Sequence, residues 1–281
     1  MPYLIKAILM MRPVYLFGCL CLFVLTNALL SFSTPSTAAP VAGGASSAPV
    51  LRDCEECPEM VAMQGGTFLM GSPLGSPSMP SRSAEAPQHS VQIKAFSIGK
   101  IEVTQAQWHY IVGSDISAFK GRRLPVESIS VDDVQDFLSK LSKKTGRNYR
   151  LPTEAEWEFA ARCGNAAAYG FGDKAEELVK YAWFDTNANE KTHEAASKLP
   201  NACGLYDMHG NVQEWTEDCW TNDYGNAPND GRAVVTGLCS QRVVRGGTWY
   251  DPADKLRSAS RQPHGYALRS RFTGFRVVRD N

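Results

Sequence analysis

The sequence predicts an α+β fold: a single irregular, loop-rich domain. Three observations carry that prediction. Three capped helix patterns fall between Thr104 and Gly164, and short strand patterns are scattered around them. Beyond Gly164, hydrophobic periodicity almost disappears until Arg242. The 281 residues include 23 glycines and 16 prolines, which suits long ordered connections better than extended regular elements.

Taken in order, the chain opens as an address. Arg12 precedes the apolar run Val14 to Leu25, and small residues follow at Ser36-Thr37-Ala38-Ala39. A charged start, a hydrophobic centre and a small-residue zone predict a cleaved signal peptide over residues 1–39. An uncleaved anchor is the alternative, but Thr26 and Asn27 interrupt the apolar stretch. The expectation is a secreted or periplasmic protein with no stable membrane span after cleavage. Residues 40–53 read as a disordered linker rich in Ala, Gly, Ser and Pro, and residues 54–281 as the folded domain.

That domain holds six cysteines. In an oxidising compartment, Cys54-Glu55-Glu56-Cys57 beside Pro58 reads as a structural staple. Cys219 and Cys239 flank a loop rich in Gly, Asn, Pro and Asp, which leaves Cys163 and Cys203 as a third pair. A zinc site is the alternative, although no second CxxC or HxxxH accompanies the first.

Met60–Met63 and Thr67–Met70 flank Gly65-Gly66 and predict a hairpin. Short strands are expected near residues 89–93 and 96–98. Thr104 with Gln107 makes a capping box for a helix through Trp108 and Ile111. Ser130 opens a second helix with Val131, Val134, Phe137, Leu138 and Leu141 on one face, ending at Gly146. Thr153 with Glu156 starts a short helix carrying Trp157 and Ala160, stopped at Gly164. Late strands are expected at 242–245 and 275–278.

The stretch Gly204 to Thr216 fits neither helix nor strand. Glycines and Asn break a helix, while Asp, Asn and His spoil strand alternation. Interleaved aromatic, aliphatic and carboxylate residues suit a packed loop. Its backbone carbonyls and the Asp207 and Glu214 oxygens either converge on a hard cation or cap neighbouring turns. The 29 basic and 29 acidic side chains cancel, so no nucleic-acid partner is expected.

Ordered motifs then identify a family. Met70-Gly71-Ser72, Ile101-Glu102-Val103-Thr104, Arg150-Leu151-Pro152-Thr153-Glu154-Ala155-Glu156-Trp157-Glu158, Gly204-Leu205-Tyr206-Asp207-Met208, Gly210-Asn211-Val212-Gln213-Glu214-Trp215, Arg245-Gly246-Gly247-Thr248-Trp249 and Gly274-Phe275-Arg276 closely resemble the sulfatase-modifying-factor family of the formylglycine-generating enzyme. The resemblance spans roughly residues 58–279 and implies a variant C-type-lectin-like fold. It also implies calcium at Asp207, Gly210, Val212 and Glu214, the middle two through carbonyls. Asp185 and Asn187 are candidate donors of a second calcium site.

The family enzyme binds copper through two cysteines, and Asp251 and Leu256 stand at the matching positions here. A carboxylate and an isobutyl group cannot replace two thiolates on soft Cu(I), so copper is not expected. Gln213 likewise replaces an active-site Trp. The site thus resembles that of pyoverdine-maturation members more closely. The iron-dependent ergothioneine branch is not matched, because the five histidines lack ligand spacing.

The remaining cleft candidates are Thr248, Trp249, Asp251, Arg257, Arg261 and His264. They suggest an exported oxidoreductase-like maturation enzyme acting on a peptide, protein or peptide-derived small molecule. The alternative is a non-catalytic, lectin-like-fold binding or accessory module of the cell envelope.

The mature protein is therefore expected to begin between about Ala39 and Val50 and to contain no free thiol. Intact mass under non-reducing conditions checks both points, and a titratable Cys219 or Cys239 contradicts the staple.

Overall fold

The computed structural model describes residues 50–73, 83–236 and 239–280. The predicted signal peptide and most of the predicted linker lie outside these residues. Eleven strands are formed among the described residues: β1 (Val50–Leu51), β2 (Met60–Met63), β3 (Gly66–Met70), β4 (His89–Ile93), β5 (Phe96–Gly99), β6 (Tyr149–Arg150), β7 (Gln213–Cys219), β8 (Gln241–Arg245), β9 (Arg261–Gly265), β10 (Thr273–Gly274) and β11 (Val278–Arg279). Three α-helices join them: α1 (Gln105–Val112), α2 (Val131–Thr145) and α3 (Glu154–Arg162). The sheets run β1-β2-β5-β11-β6, β10-β7-β8-β9 and β3-β4. Among the described residues, no helix is long and apolar enough to cross a membrane.

The helices begin where their caps put them. Thr104, Ser130 and Thr153 each accept from the third helical backbone N–H, while the side chains of Gln107, Asp133 and Glu156 reach back to the cap. α2 ends at Gly146 in the left-handed region, as its sequence predicts. α3 ends at Cys163, also left-handed (φ 45°), one residue before the expected Gly164.

The apolar stripe of α2 packs against Trp108, Trp215 and Phe275, with Trp108 and Phe137 stacked at 5.4 Å. Burying each such side chain contributes roughly 1.5–3 kcal/mol, so this face anchors the first core. Trp157 and Ala160 of α3 sit in a second core with Val91, Phe96, Ile98, Leu205 and Met208.

The structure differs from the sequence expectation in four places. First, order begins before Cys54, because Val50 and Leu51 pair with Val61 and Met60 of β2. Second, β2 and β3 do not form a hairpin: β2 pairs with β5, and β3 pairs with β4 in another sheet. Gly65 marks the parting point. A Cβ there would lie 2.5 Å from the Ile93 carbonyl oxygen, so the chain needs glycine to pass the β4–β5 turn.

Third, the stretch expected to be loop through Thr216 turns into a strand at Gln213. β7 is buried on both faces, so its side chains do not alternate. Glu214, Trp215 and Thr216 are tolerated there because Arg276, the Ile129 carbonyl and the Val243 carbonyl satisfy them. Fourth, residues 275–277 leave the ladder, and only Val278–Arg279 completes β11.

All three expected disulfides are present, with Cα separations of 5.0 Å (Cys54–Cys57), 5.8 Å (Cys163–Cys203) and 5.0 Å (Cys219–Cys239). The second ties the end of α3 to the Gly204 loop. The third closes the long segment between β7 and β8, the kind of loop where a bridge contributes about 3 kcal/mol.

Arginines hold the irregular second half to α3. Glu158 is fully buried and meets Arg245 and Arg162, and Glu154 takes Arg261 in a two-pronged pair. Burial alone would push the Glu158 carboxyl up, but Arg162 and Arg245 outweigh it and hold it below the usual range. Asp218 of β7 accepts from the Glu154 N–H (2.7 Å) and the Val234 N–H (2.8 Å).

Burial, and then the Glu154 carboxylate, push the Asp218 carboxyl up to about 7. A folded-state value above the unfolded one favours the fold at low pH. That contribution is lost as pH rises through 7. Between pH 5 and pH 8, urea unfolding should therefore show roughly 2–3 kcal/mol lost through this group. Asp218→Asn should flatten the slope by that amount while lowering stability overall, and identical slopes would contradict the assignment.

Candidate functional site

The Gly204–Thr216 segment is held from outside by amide side chains. The Asn201 oxygen accepts from the N–H groups of Cys203 and Leu205, and its amide donates to the Ala160 carbonyl. Gly210 has φ 84°, and a Cβ there would sit 2.2 Å from the Trp183 carbonyl oxygen. Only glycine fits that approach. The Asn211 amide donates to Glu102 and its oxygen accepts from the His193 N–H. The Val212 N–H donates to the other Glu102 oxygen at 3.0 Å.

Three carboxylates are buried here: Glu102, Asp207 and Glu214. Both oxygens of Glu214 are taken, by Arg276 (2.6 and 2.7 Å) and the Trp157 indole N–H (2.8 Å). Asp207 Oδ2 accepts from the Ala196 N–H at 2.7 Å, whereas its Oδ1 is buried with no hydrogen-bond partner among the described residues. Burial lifts the Asp207 carboxyl to about 6 and raises Glu102 well above the usual range, with Asp207 and Glu214 adding to the latter.

The donor set therefore fits calcium in part. Asp207 offers a hard oxygen in a carboxylate-rich region with Arg276 as a neighbouring cation. Glu214 is committed to Arg276 instead, a use that its position in a motif does not reveal. The described residues contain no grouping of three or more His, Cys, Asp or Glu side chains able to hold a metal. In the second segment, Asn187 spends its oxygen on the Phe184 N–H and its amide on the Ala182 carbonyl.

The six cleft candidates fall into four separate groups. Asp251 Oδ2 accepts from both the N–H and the hydroxyl of Thr248 (2.9 and 2.8 Å), fixing the turn that carries Trp249. Trp249 is 1% exposed and lies between Phe119 (5.7 Å) and Phe272 (4.8 Å). Arg257 pairs with Glu85 at 2.7 and 2.9 Å, and Arg261 pairs with Glu154. Both arginines are buried, so neither faces a substrate.

His264 is half-buried, which pushes its ring pKa down. The Gln213 amide donates to its Nδ1 at 2.8 Å, leaving the neutral ring's proton on Nε2. That Nε2 has no partner among the described residues. Gln213 also reaches the Thr273 hydroxyl at 2.8 Å.

The positions matched to copper thiols serve structure. Asp251 holds its turn, and Leu256 is fully buried in an apolar cluster with Tyr169, Leu178, Ala182 and Phe184. These residues do not fit copper. What the sequence reading missed is the face beside them. The exposed Arg271 guanidinium lies 5.3 Å over Trp249 and 5.2 Å over Phe272, next to Tyr250, which is 60% exposed. Sequence spacing gives no sign of it, since residues 249 and 271 meet only through the loop between β9 and β10.

Comparison with known proteins identifies the family and fold. The model of the sulfatase-modifying factor enzyme 1-like domain matches residues 46–281. The solved structure of PvdO from Pseudomonas aeruginosa superposes with a TM-score of 0.76 at 32% identity, over 84% of this chain and 99% of that one. The formylglycine-generating enzyme of Thermomonospora curvata is 30% identical over 200 residues, 64% of this chain and 63% of that protein. Chaperone protein LppX of Paenibacillus barcinonensis is 28% identical over 245 residues, 68% of this chain and 78% of that protein.

Proposed function

The chain belongs to the sulfatase-modifying factor enzyme 1-like family, and from that premise we propose that it recognises a peptide or peptide-derived substrate without copper chemistry. The proposed recognition face is Tyr250, Arg271 and Phe272. One observation supports this reading above others: Asp251 and Leu256 are spent on a turn and a core, while a guanidinium with no ion-pair partner among the described residues lies over two rings and stands exposed beside them. A stacked arginine keeps its fork free for carboxylate or carbonyl oxygens, and Tyr and Arg commonly dominate recognition surfaces. The role fits a maturation or accessory protein outside the cytoplasm, as the predicted signal peptide suggests.

The purified protein should take up no stoichiometric Cu(I) and should leave a Cys-x-Pro-x-Arg peptide unoxidised. On an immobilised heptapeptide library it should retain a defined subset. Arg271→Ala should weaken those contacts about tenfold without lowering the melting temperature. Stoichiometric copper uptake with peptide oxidation, or retention indifferent to both Arg271→Ala and Tyr250→Ala, would overturn the reading.

We also propose calcium at Asp207. A ligand that binds only the folded state at a hundredfold over its dissociation constant stabilises by about 2.7 kcal/mol. EGTA should then lower the melting temperature, calcium but not Mg²⁺ should restore it, and Asp207→Ala should abolish the response. A wild-type melting curve indifferent to EGTA, in a calcium-free sample, removes the proposal.

A further inference from the structure

The loop between β7 and β8 encloses a cleft unconnected with the residues discussed above as a recognition face. Its volume is about 440 Å³, and Trp220, Thr221, Asn222, Asp223, Asn226 and Thr236 supply its polar and aromatic lining. That size lies within the roughly 300–1,000 Å³ typical of small-molecule sites.

The floor of the cleft is rigid. The Arg261 guanidinium lies 4.5 Å from the Trp220 ring and 4.4 Å from the Tyr224 ring. Arg261 is itself fixed by Glu154 at 2.7 and 2.8 Å and donates to the Thr221 carbonyl at 2.8 Å. Tyr224 donates its hydroxyl to the same Glu154 at 2.9 Å. The Cys219–Cys239 disulfide brackets the segment. The Trp220 N–H is spent on Asn222 Oδ1 (3.1 Å), which orients the indole and turns that side chain's amide N–H groups away from it. Asn226 and Thr236 have no protein partner among the described residues.

The chemistry of this lining selects one ligand class. Among the described residues no lysine or arginine lines the cleft, and Asp223 is the one formal charge there, so an anion finds no counter-charge. An aromatic ring beside a carboxylate ordinarily suits a cation. Here Arg261 already sits against the ring, which weakens the pull of that indole on a second cation. A purely apolar ligand would strand the amides and hydroxyls of Asn222, Asn226 and Thr236 without partners. A neutral ring with an apolar C–H face and hydroxyl edges satisfies both kinds of surface: the indole takes the face, and the amides and hydroxyls take the edges.

We propose that this cleft is a binding site for a neutral sugar. The full chain, titrated separately with glucose, galactose, N-acetylglucosamine, tetramethylammonium and inorganic phosphate, tests this through saturation-transfer NMR and indole fluorescence. At least one of the three sugars should saturate, and neither ion should. Asn226→Ala, on an exposed turn, should weaken that sugar about tenfold with an unchanged melting temperature, and Trp220→Leu should do the same or more. If Trp220→Leu does not fold, Thr236→Ala takes its place beside Asn226→Ala. The proposal fails if no sugar saturates, if tetramethylammonium or phosphate binds instead, or if sugar binding persists at full strength in both variants.

Discussion

Buried pairing of carboxylates with guanidinium groups is the interaction on which this architecture depends. Arg245, Arg257, Arg261 and Arg276 all come from the last part of the chain, and each meets a carboxylate contributed by an earlier segment: Glu158, Glu85, Glu154 and Glu214. All eight side chains are buried. Desolvating such charges is costly, and the Coulomb gain offsets the cost only with good geometry. Two-pronged contacts at Glu85, Glu154 and Glu214 supply that geometry. Removing one partner would strand the other, a loss of about 3–5 kcal/mol.

Direction is what the pairs add. An apolar core accepts a segment in many orientations, but a guanidinium fork on a carboxylate accepts few. The chain from the end of β8 to β10 has little regular structure beyond β9, yet it is fixed at Arg245, Arg257 and Arg261. Amide side chains do the same work at smaller scale: Asn201 satisfies the Cys203 and Leu205 N–H groups, and Asn211 the N–H and carbonyl of His193.

These clamps also redistribute the functional surface. Arg257 and Arg261, natural candidates for gripping an acidic substrate, are consumed internally. Arg261 instead stiffens the Trp220 platform. Arg271 has no carboxylate partner among the described residues and lies over Trp249 and Phe272. Where the family resemblance implies copper thiols, Asp251 and Leu256 have been absorbed by a turn and a core, and aromatic and guanidinium groups stand exposed nearby.

The sequence by itself determined the class of fold, the three helices with their caps and the absence of copper thiolates. Those features are local or compositional. A capping box is read within four residues, and a missing thiol is missing in any conformation. Only the tertiary structure decided that β2 and β3 part into different sheets, since Gly65 answers to the Ile93 carbonyl rather than to its neighbours. Only it could turn Gln213–Cys219 into a buried strand, because the groups that satisfy Glu214, Trp215 and Thr216 lie between 27 and 86 residues away. The split of the six cleft candidates into four groups has the same origin. A charged side chain looks free in sequence until the fold supplies its partner, and here the partners come from distant segments.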